Sequence, residues 1–171
     1  STWIEFDEDT TKPVTVPDTF RFGVVKNTNT STLYTSFSSA ISEASTNNVL
    51  NIWAWTYNEN VVINKGITVI GNSTATSKIN GGSGDYAIEV KSNGVTIKNL
   101  TLNGASDSLL YAGNYNSLSV ENVVMTSSSS NYGIYFDRTK ESTIASVTVN
   151  DTDRKSVYIT DGDTITFKDS S

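Results

Sequence analysis

Apolar and polar positions alternate along most of the chain, and they do so on a fixed period. Three segments align without gaps: Gly94-Val-Thr-Ile-Lys-Asn-Leu-Thr-Leu102, Ser117-Leu-Ser-Val-Glu-Asn-Val-Val-Met125 and Glu141-Ser-Thr-Ile-Ala-Ser-Val-Thr-Val149. A fourth, Thr164-Ile-Thr-Phe-Lys-Asp169, begins the same pattern, so the starts are separated by 23, 24 and 23 residues. A second set keeps phase with the first: Ala87–Val90, Leu109–Ala112, Gly133–Phe136 and Ser156–Ile159. Period-two alternation in runs this short predicts strands. The inward candidates are Ile97, Leu100 and Leu102 with their repeats Val120, Val123, Met125 and Ile144, Val147, Val149. In the second set they are Ile88 and Val90, Leu110 and Ala112, Ile134 and Phe136, Val157 and Ile159. A unit of this length cannot enclose a core alone, so neighbouring units must stack into a solenoid.

One segment has helical spacing. Phe37, Ala40, Ile41 and Ala44 fall at i, i+3, i+4, i+7, with Thr35 or Ser36 placed to cap the start and Asn47-Asn48 to end it. A short amphipathic helix there would lid the first coil. Asn72–Gly84, polar and rich in Gly, Ser and Thr, reads as a loop that lengthens one repeat.

After the helix come Val49-Leu-Asn-Ile52, Tyr57-Asn-Glu-Asn-Val-Val-Ile63 and Ile67-Thr-Val-Ile-Gly71. This order resembles the first coil of right-handed parallel β-helix proteins of the pectin lyase-like superfamily, and the resemblance runs from about Leu33 to Asp169. Trp55-Thr-Tyr57 departs from it, because such proteins carry Gly-Thr-Tyr there. The resemblance implies an all-β, right-handed parallel β-helix of about five coils with a short N-terminal capping helix. It leaves the chemistry open, since the superfamily hosts lyases, hydrolases, esterases and non-catalytic surface proteins.

Composition removes several function classes. The 171 residues contain no Cys and no His, which excludes disulfides, thiolate chemistry and a Ser-His-Asp triad. A net charge of -6 without a basic stripe argues against nucleic acid as a partner. No run is apolar for the length of a membrane span, so membrane insertion is not expected.

The remaining candidates are surfaces. Tyr111, Tyr135 and Tyr158 lie between inward residues of consecutive repeats and should point outward as a ladder, either bracing the face or forming a flat platform for a glycan or a partner. Asn99 and Asn122 share one repeat position and read as a stacked amide ladder at an inward turn. Charge gathers late in the chain, at Asp137, Arg138, Asp151, Asp153, Arg154, Lys155, Asp161 and Asp163. Lyases of the resembled superfamily use acidic calcium ligands with an Arg or Lys base, and its hydrolases use clustered Asp, but no catalytic motif matches here. Asp151-Thr-Asp153 and Asp161-Gly-Asp163 have the ligand type for calcium, and equally the residue type for turns; no other cofactor is expected.

Residues 1–30 stand outside the repeat and are read as an N-terminal arm or cap, with 31–171 as the β-helix domain. Trp3, Ile4 and Phe6 form one apolar cluster, and Val14 and Val16 alternate between Pro13 and Pro17. This segment is suited either to cover its own first coil or to add a strand to a neighbouring molecule. The fourth repeat stops at Asp169, one strand into its coil, which a chain cut from a longer protein, an end covered by its own N-terminal arm or subunits stacking end to end would each explain; an open coil is a template for another chain. The sequence reading is therefore a non-catalytic extracellular structural protein. It would self-assemble into a surface filament, sheath or layer through Trp3, Ile4, Phe6, Val14, Val16, Ile165 and Phe167. The alternative is a carbohydrate-binding or polysaccharide-degrading module, or an adhesin fragment.

Overall fold

A computed structural model describes residues 24–171. The cluster of Trp3, Ile4 and Phe6, and Val14 with Val16, lie outside the described residues.

The predicted repeats form two parallel sheets that wind as a right-handed β-solenoid of about five turns. One sheet has five strands: β5 (Val61–Ile63), β8 (Tyr86–Val90), β10 (Ser108–Gly113), β12 (Tyr132–Asp137) and β14 (Lys155–Thr160), each paired in parallel with the next. We call this the short-strand sheet. The other has ten strands. Its path runs through β2 (Thr32–Tyr34), β1 (Val25–Asn27), β3 (Val49–Ile52), β6 (Thr68–Gly71), β9 (Thr96–Asn103), β11 (Ser119–Thr126), β13 (Lys140–Asn150) and β15 (Asp163–Lys168). Off that path β4 (Trp55–Tyr57) pairs with β7 (Ser77–Asn80), and β7 pairs with β9.

Every inward candidate of the first repeat set is buried, from Ile97 to Val149. Their spacing is not a plain period of two, because Ile97 and Leu100 are three apart. The reason is a left-handed residue between them: Asn99, Asn122, Ser146 and Asp169 have φ of 56°, 48°, 53° and 46°. One such residue bends the strand and restores the inward phase after it. Each long strand thus spans two walls of the solenoid. Asn tolerates this backbone better than most residues. Asn122 Nδ2 donates to Asn99 Oδ1 at 3.0 Å, so the amide ladder exists. It stands on the outer side of the turn, with Asn122 exposed, rather than facing inward.

The stretch read as a loop at Asn72–Gly84 contains a strand. In this coil the bend widens, so that β6 and β7 separately meet the two halves of β9. Ile79 is buried inside β7, where Ser and Lys neighbours hid its alternation.

The short-strand sheet contributes two stacked apolar columns to the core. Val61, Ile88, Leu110, Ile134 and Val157 are in register, as are Ile63, Val90, Ala112, Phe136 and Ile159. The helix α1 (Phe37–Glu43) covers the first coil with Phe37, Ala40 and Ile41 buried. Ser36, not Thr35, is its cap, its side chain accepting from Ser39 N, and Ala44 rather than Asn47-Asn48 ends it. Lys65 Nζ donates to the carbonyls of Ser42 and Ala44 at 2.6 Å, satisfying acceptors the helix leaves open. β1 runs antiparallel to β3 and to β2, so residues 25–27 belong to the sheet. A boundary at residue 30 falls in the turn between β1 and β2.

A second left-handed position recurs where the short-strand sheet hands over to the long strands. Gly94 (φ 69°) occupies it first, followed by Ser117, Glu141 and Thr164 at 58°, 51° and 53°. A Cβ at Gly94 would meet nothing within 4 Å, so the conformation and not space is the constraint. An L-residue there costs about 1–2 kcal/mol, partly offset by the chain entropy that glycine gives up. Glu141→Gly is therefore expected to stabilise the fold by about 0.5–1 kcal/mol, read as a rise of about 2 °C in the thermal midpoint.

Candidate tyrosine face

The residues with the most organised exposed chemistry lie on the outer face of the short-strand sheet. Tyr111, Tyr135 and Tyr158 are in register on β10, β12 and β14, with Glu89 of β8 in the same column. Alternation puts them outward because their strand neighbours fill the core. Two further tyrosines join them. Tyr86 stacks on Tyr111 with ring centroids 4.5 Å apart and planes 11° apart. Tyr132 stacks on Tyr158 at 5.0 Å and 19°, and contacts Tyr135 at 5.5 Å. Tyr135 closes the row, 5.2 Å from Tyr111 and 5.0 Å from Tyr158. Five rings from four coils thus form one continuous half-buried surface. Alternation did not point to Tyr86 and Tyr132: each stands two residues before an inward Ile, in Tyr86-Ala-Ile88 and Tyr132-Gly-Ile134, a spacing that predicts an inward side chain.

Small residues make room for the rings. A Cβ on Gly113 would strike the hydroxyl and ring of Tyr111, so glycine lets that ring lie along its own strand. Ser108, fully buried, holds the register position between Tyr86 and Tyr132. At one end of the row Lys155 Nζ sits 4.5 Å from the Tyr158 ring centroid, a cation–π contact. At the other end is a depression of about 290 Å³ lined by Asn60, Val61, Val62, Asp85, Tyr86 and Glu89. A second depression of about 380 Å³ shares Asn60, Val61 and Val62 and reaches α1 at Ser38 and Ser42.

The face carries acidic groups. Burial pushes the Tyr86 phenol up to about 12, and the neighbouring Tyr111, Asp107, Glu89 and Asp85 push in the same direction. Burial likewise raises Tyr111, followed by Asp137, Tyr135 and Glu89, with Arg138 opposing. Both phenols therefore stay protonated at neutral pH and can donate hydrogen bonds. Glu89 is paired with Lys91 at 3.1 Å and Asp137 with Arg138 at 2.8 Å. Asp137 also accepts from Thr160 Oγ1 at 3.0 Å.

The late charge cluster does not assemble around one point. Arg138, Asp151 and Asp161 are left-handed turn residues with φ of 51°, 56° and 49°. Among the described residues no three acidic side chains converge as metal ligands, so Asp151 with Asp153 and Asp161 with Asp163 do not form a joint calcium site. Left-handed turn geometry accounts for the residue type at Asp151 and Asp161. Ile165 is half-buried and Phe167 is 46% exposed on β15, which ends the long sheet among the described residues.

No protein-family model matches the chain, and no curated protein does. Two solved structures are similar. A pectin methylesterase in complex with a hexasaccharide matches with a TM-score of 0.54 and 13% identity over 81% of this chain and 64% of that one. A pectin methylesterase from Yersinia enterocolitica matches with a TM-score of 0.48 and 11% identity over 68% and 54%. The chain thus spans less than two thirds of the length of these neighbours. The first match corrects the expectation that the chain is not an enzyme: the same solenoid carries an esterase, so missing His, Cys and a familiar motif do not exclude catalysis on it. At this identity the likeness establishes architecture. The chain has a right-handed parallel β-helix fold, the architecture it shares with that esterase.

Proposed function

We propose that this protein binds a polysaccharide along the tyrosine face of the short-strand sheet. The observation that carries the reading is the unbroken contact of Tyr86, Tyr111, Tyr135, Tyr132 and Tyr158 across four coils. Aromatic rings offer flat apolar area at low entropic cost, and phenol groups at their rim supply directional polar contacts. A linear sugar polymer presents the matching combination of apolar ring faces and hydroxyl edges. The depression beside Tyr86 gives such a chain a polar terminus, with the Asn60 amide already held by the carbonyls of Gly81 and Tyr86 at 2.8 and 2.7 Å. A similar solenoid, the pectin methylesterase noted above, is known with a hexasaccharide bound. A polysaccharide ligand would place the protein at the cell surface or outside the cell. The test is a glycan array followed by calorimetry on the hits, with Tyr135→Ala as the variant. Binding that survives this substitution unchanged overturns the proposal.

A second reading has one observation in its favour. Phe167 occupies an inward register position, opposite Ile144, yet is 46% exposed on the strand that ends the long sheet among the described residues. Such an edge can take a strand from a second copy of the chain. Sedimentation velocity of wild type against Phe167→Lys tests it: a concentration-dependent oligomer lost in the variant supports self-association, and a monomer in both refutes it.

A further inference from the structure

Resting on the glycan reading above, we infer that the tyrosine face selects a cationic amino-sugar polymer, of the glucosamine type, over a polyuronate. The reason is the charge set around the rings. Asp85 and Glu89 line the depression beside Tyr86, Asp107 lies close enough to couple to the same phenol, and Asp137 and Glu89 couple to Tyr111. Two of these carboxylates are neutralised locally, Glu89 by Lys91 and Asp137 by Arg138. The other two are held only by neutral donors among the described residues. Asp85 accepts from Ser106 Oγ at 3.3 Å; Asp107 accepts from Ser108 Oγ at 2.9 Å and Asn131 Nδ2 at 3.2 Å. The end of the ladder at Tyr86 and Tyr111 therefore keeps two uncompensated negative charges beside the tightest ring stack of the face.

A polyuronate carries a carboxylate on every sugar. Four strands at about 4.8 Å spacing make a track of roughly 15 Å, so several of those carboxylates would lie along it together. Like charges at such distances repel, and the chain's net charge of -6 opposes their approach from afar. An amino sugar reverses both terms. Its ammonium group gains from the carboxylates, and a cation over a tyrosine ring is attracted by the ring itself. The face already holds one such arrangement, Lys155 over Tyr158, at the end where Asp85 and Asp107 are absent. A ligand ammonium over Tyr86 and Tyr111 would repeat it at the acidic end.

The experiment compares three hexasaccharides by calorimetry in low salt: glucosamine, N-acetylglucosamine and galacturonic acid. The expected result is that the glucosamine hexamer binds about tenfold more tightly than its N-acetylated form, whose charge is removed with the backbone unchanged, and that the galacturonate binds most weakly. Raising the salt should narrow the first gap, and the double variant Asp85→Asn, Asp107→Asn should nearly close it. Equal binding of the two amino-sugar hexamers, with Tyr135→Ala weakening both, overturns the charge selection and leaves the glycan face standing. Preference for galacturonate overturns it as well. Absence of binding by all three overturns this inference, while array hits lost in Tyr135→Ala would keep the glycan reading; binding indifferent to Tyr135→Ala removes both.

Discussion

Phe136→Ala is expected to destabilise the protein by about 3–5 kcal/mol and to lower its thermal midpoint by roughly 10 °C or more. Phe136 is fully buried and is among the largest buried side chains. Its column explains why a ring fits there. The residue in register on one side is Ala112 and on the other Ile159, so the large side chain occupies space that the small one leaves. Truncation opens a cavity that the neighbouring coils cannot close, because each strand is tied on both sides by its ladder. In a solenoid the loss is felt unevenly, since each coil contacts mainly its neighbours. Amides of β12, β14 and β15 should therefore exchange before those of β8 and β9. Hydrogen exchange on the variant reads this directly. Uniform loss of protection along the chain would show that the coils unfold as one unit. Ile134→Val, one methylene smaller in the adjacent column, should cost only about 0.5–1.5 kcal/mol.

The second large effect is on ligand binding. Tyr135→Ala should weaken glycan binding by about 30-fold, equivalent to about 2 kcal/mol, the loss typical of a central aromatic anchor. Tyr135 takes part in three of the five ring contacts of the face, with Tyr111, Tyr132 and Tyr158. Without it the row separates into two isolated stacks, Tyr86 on Tyr111 and Tyr132 on Tyr158. Each remaining stack is too short to hold consecutive sugars. The fold should survive, because the side chain points away from the core and each aromatic pair contributes only about 0.5–1.5 kcal/mol. Tyr135→Phe retains the ring and should retain most of the affinity; a loss equal to that of the alanine variant would show that the hydroxyl, not stacking, carries the contact.

The repeat itself was readable in the chain. Ile97, Leu100 and Leu102 recur as Val120, Val123 and Met125, and a fixed period of alternating strands has few other physical solutions than stacked coils. The outward direction of Tyr111, Tyr135 and Tyr158 follows from the same alternation, since their neighbours must face the core. Local chemistry was legible in part: apolar positions at i, i+3, i+4 placed the helix, while its cap stayed open between Thr35 and Ser36 until the structure showed Ser36. These features depend on spacing, and spacing is what a sequence contains.

Other features needed the coils in place. That Asn99 and Asn122 stack on the outside of their turn depends on a left-handed backbone, which spacing does not reveal. The strand at Ser77–Asn80 forms because β9 offers it an edge; its own residues favour a loop. Tyr86 and Tyr132 enter the ladder by leaning toward rings on neighbouring strands. Asp151, Asp153, Asp161 and Asp163 are close in sequence, yet among the described residues no three acidic side chains converge. Period, core and the outward column of Tyr111, Tyr135 and Tyr158 can thus be read along the chain, because each is a one-dimensional pattern that repeats. Which rings touch, which carboxylates remain uncompensated beside them and where the turns direct their side chains are set by the packing of the coils. Most of those depend on distances between residues more than twenty positions apart, which the stacking of coils creates.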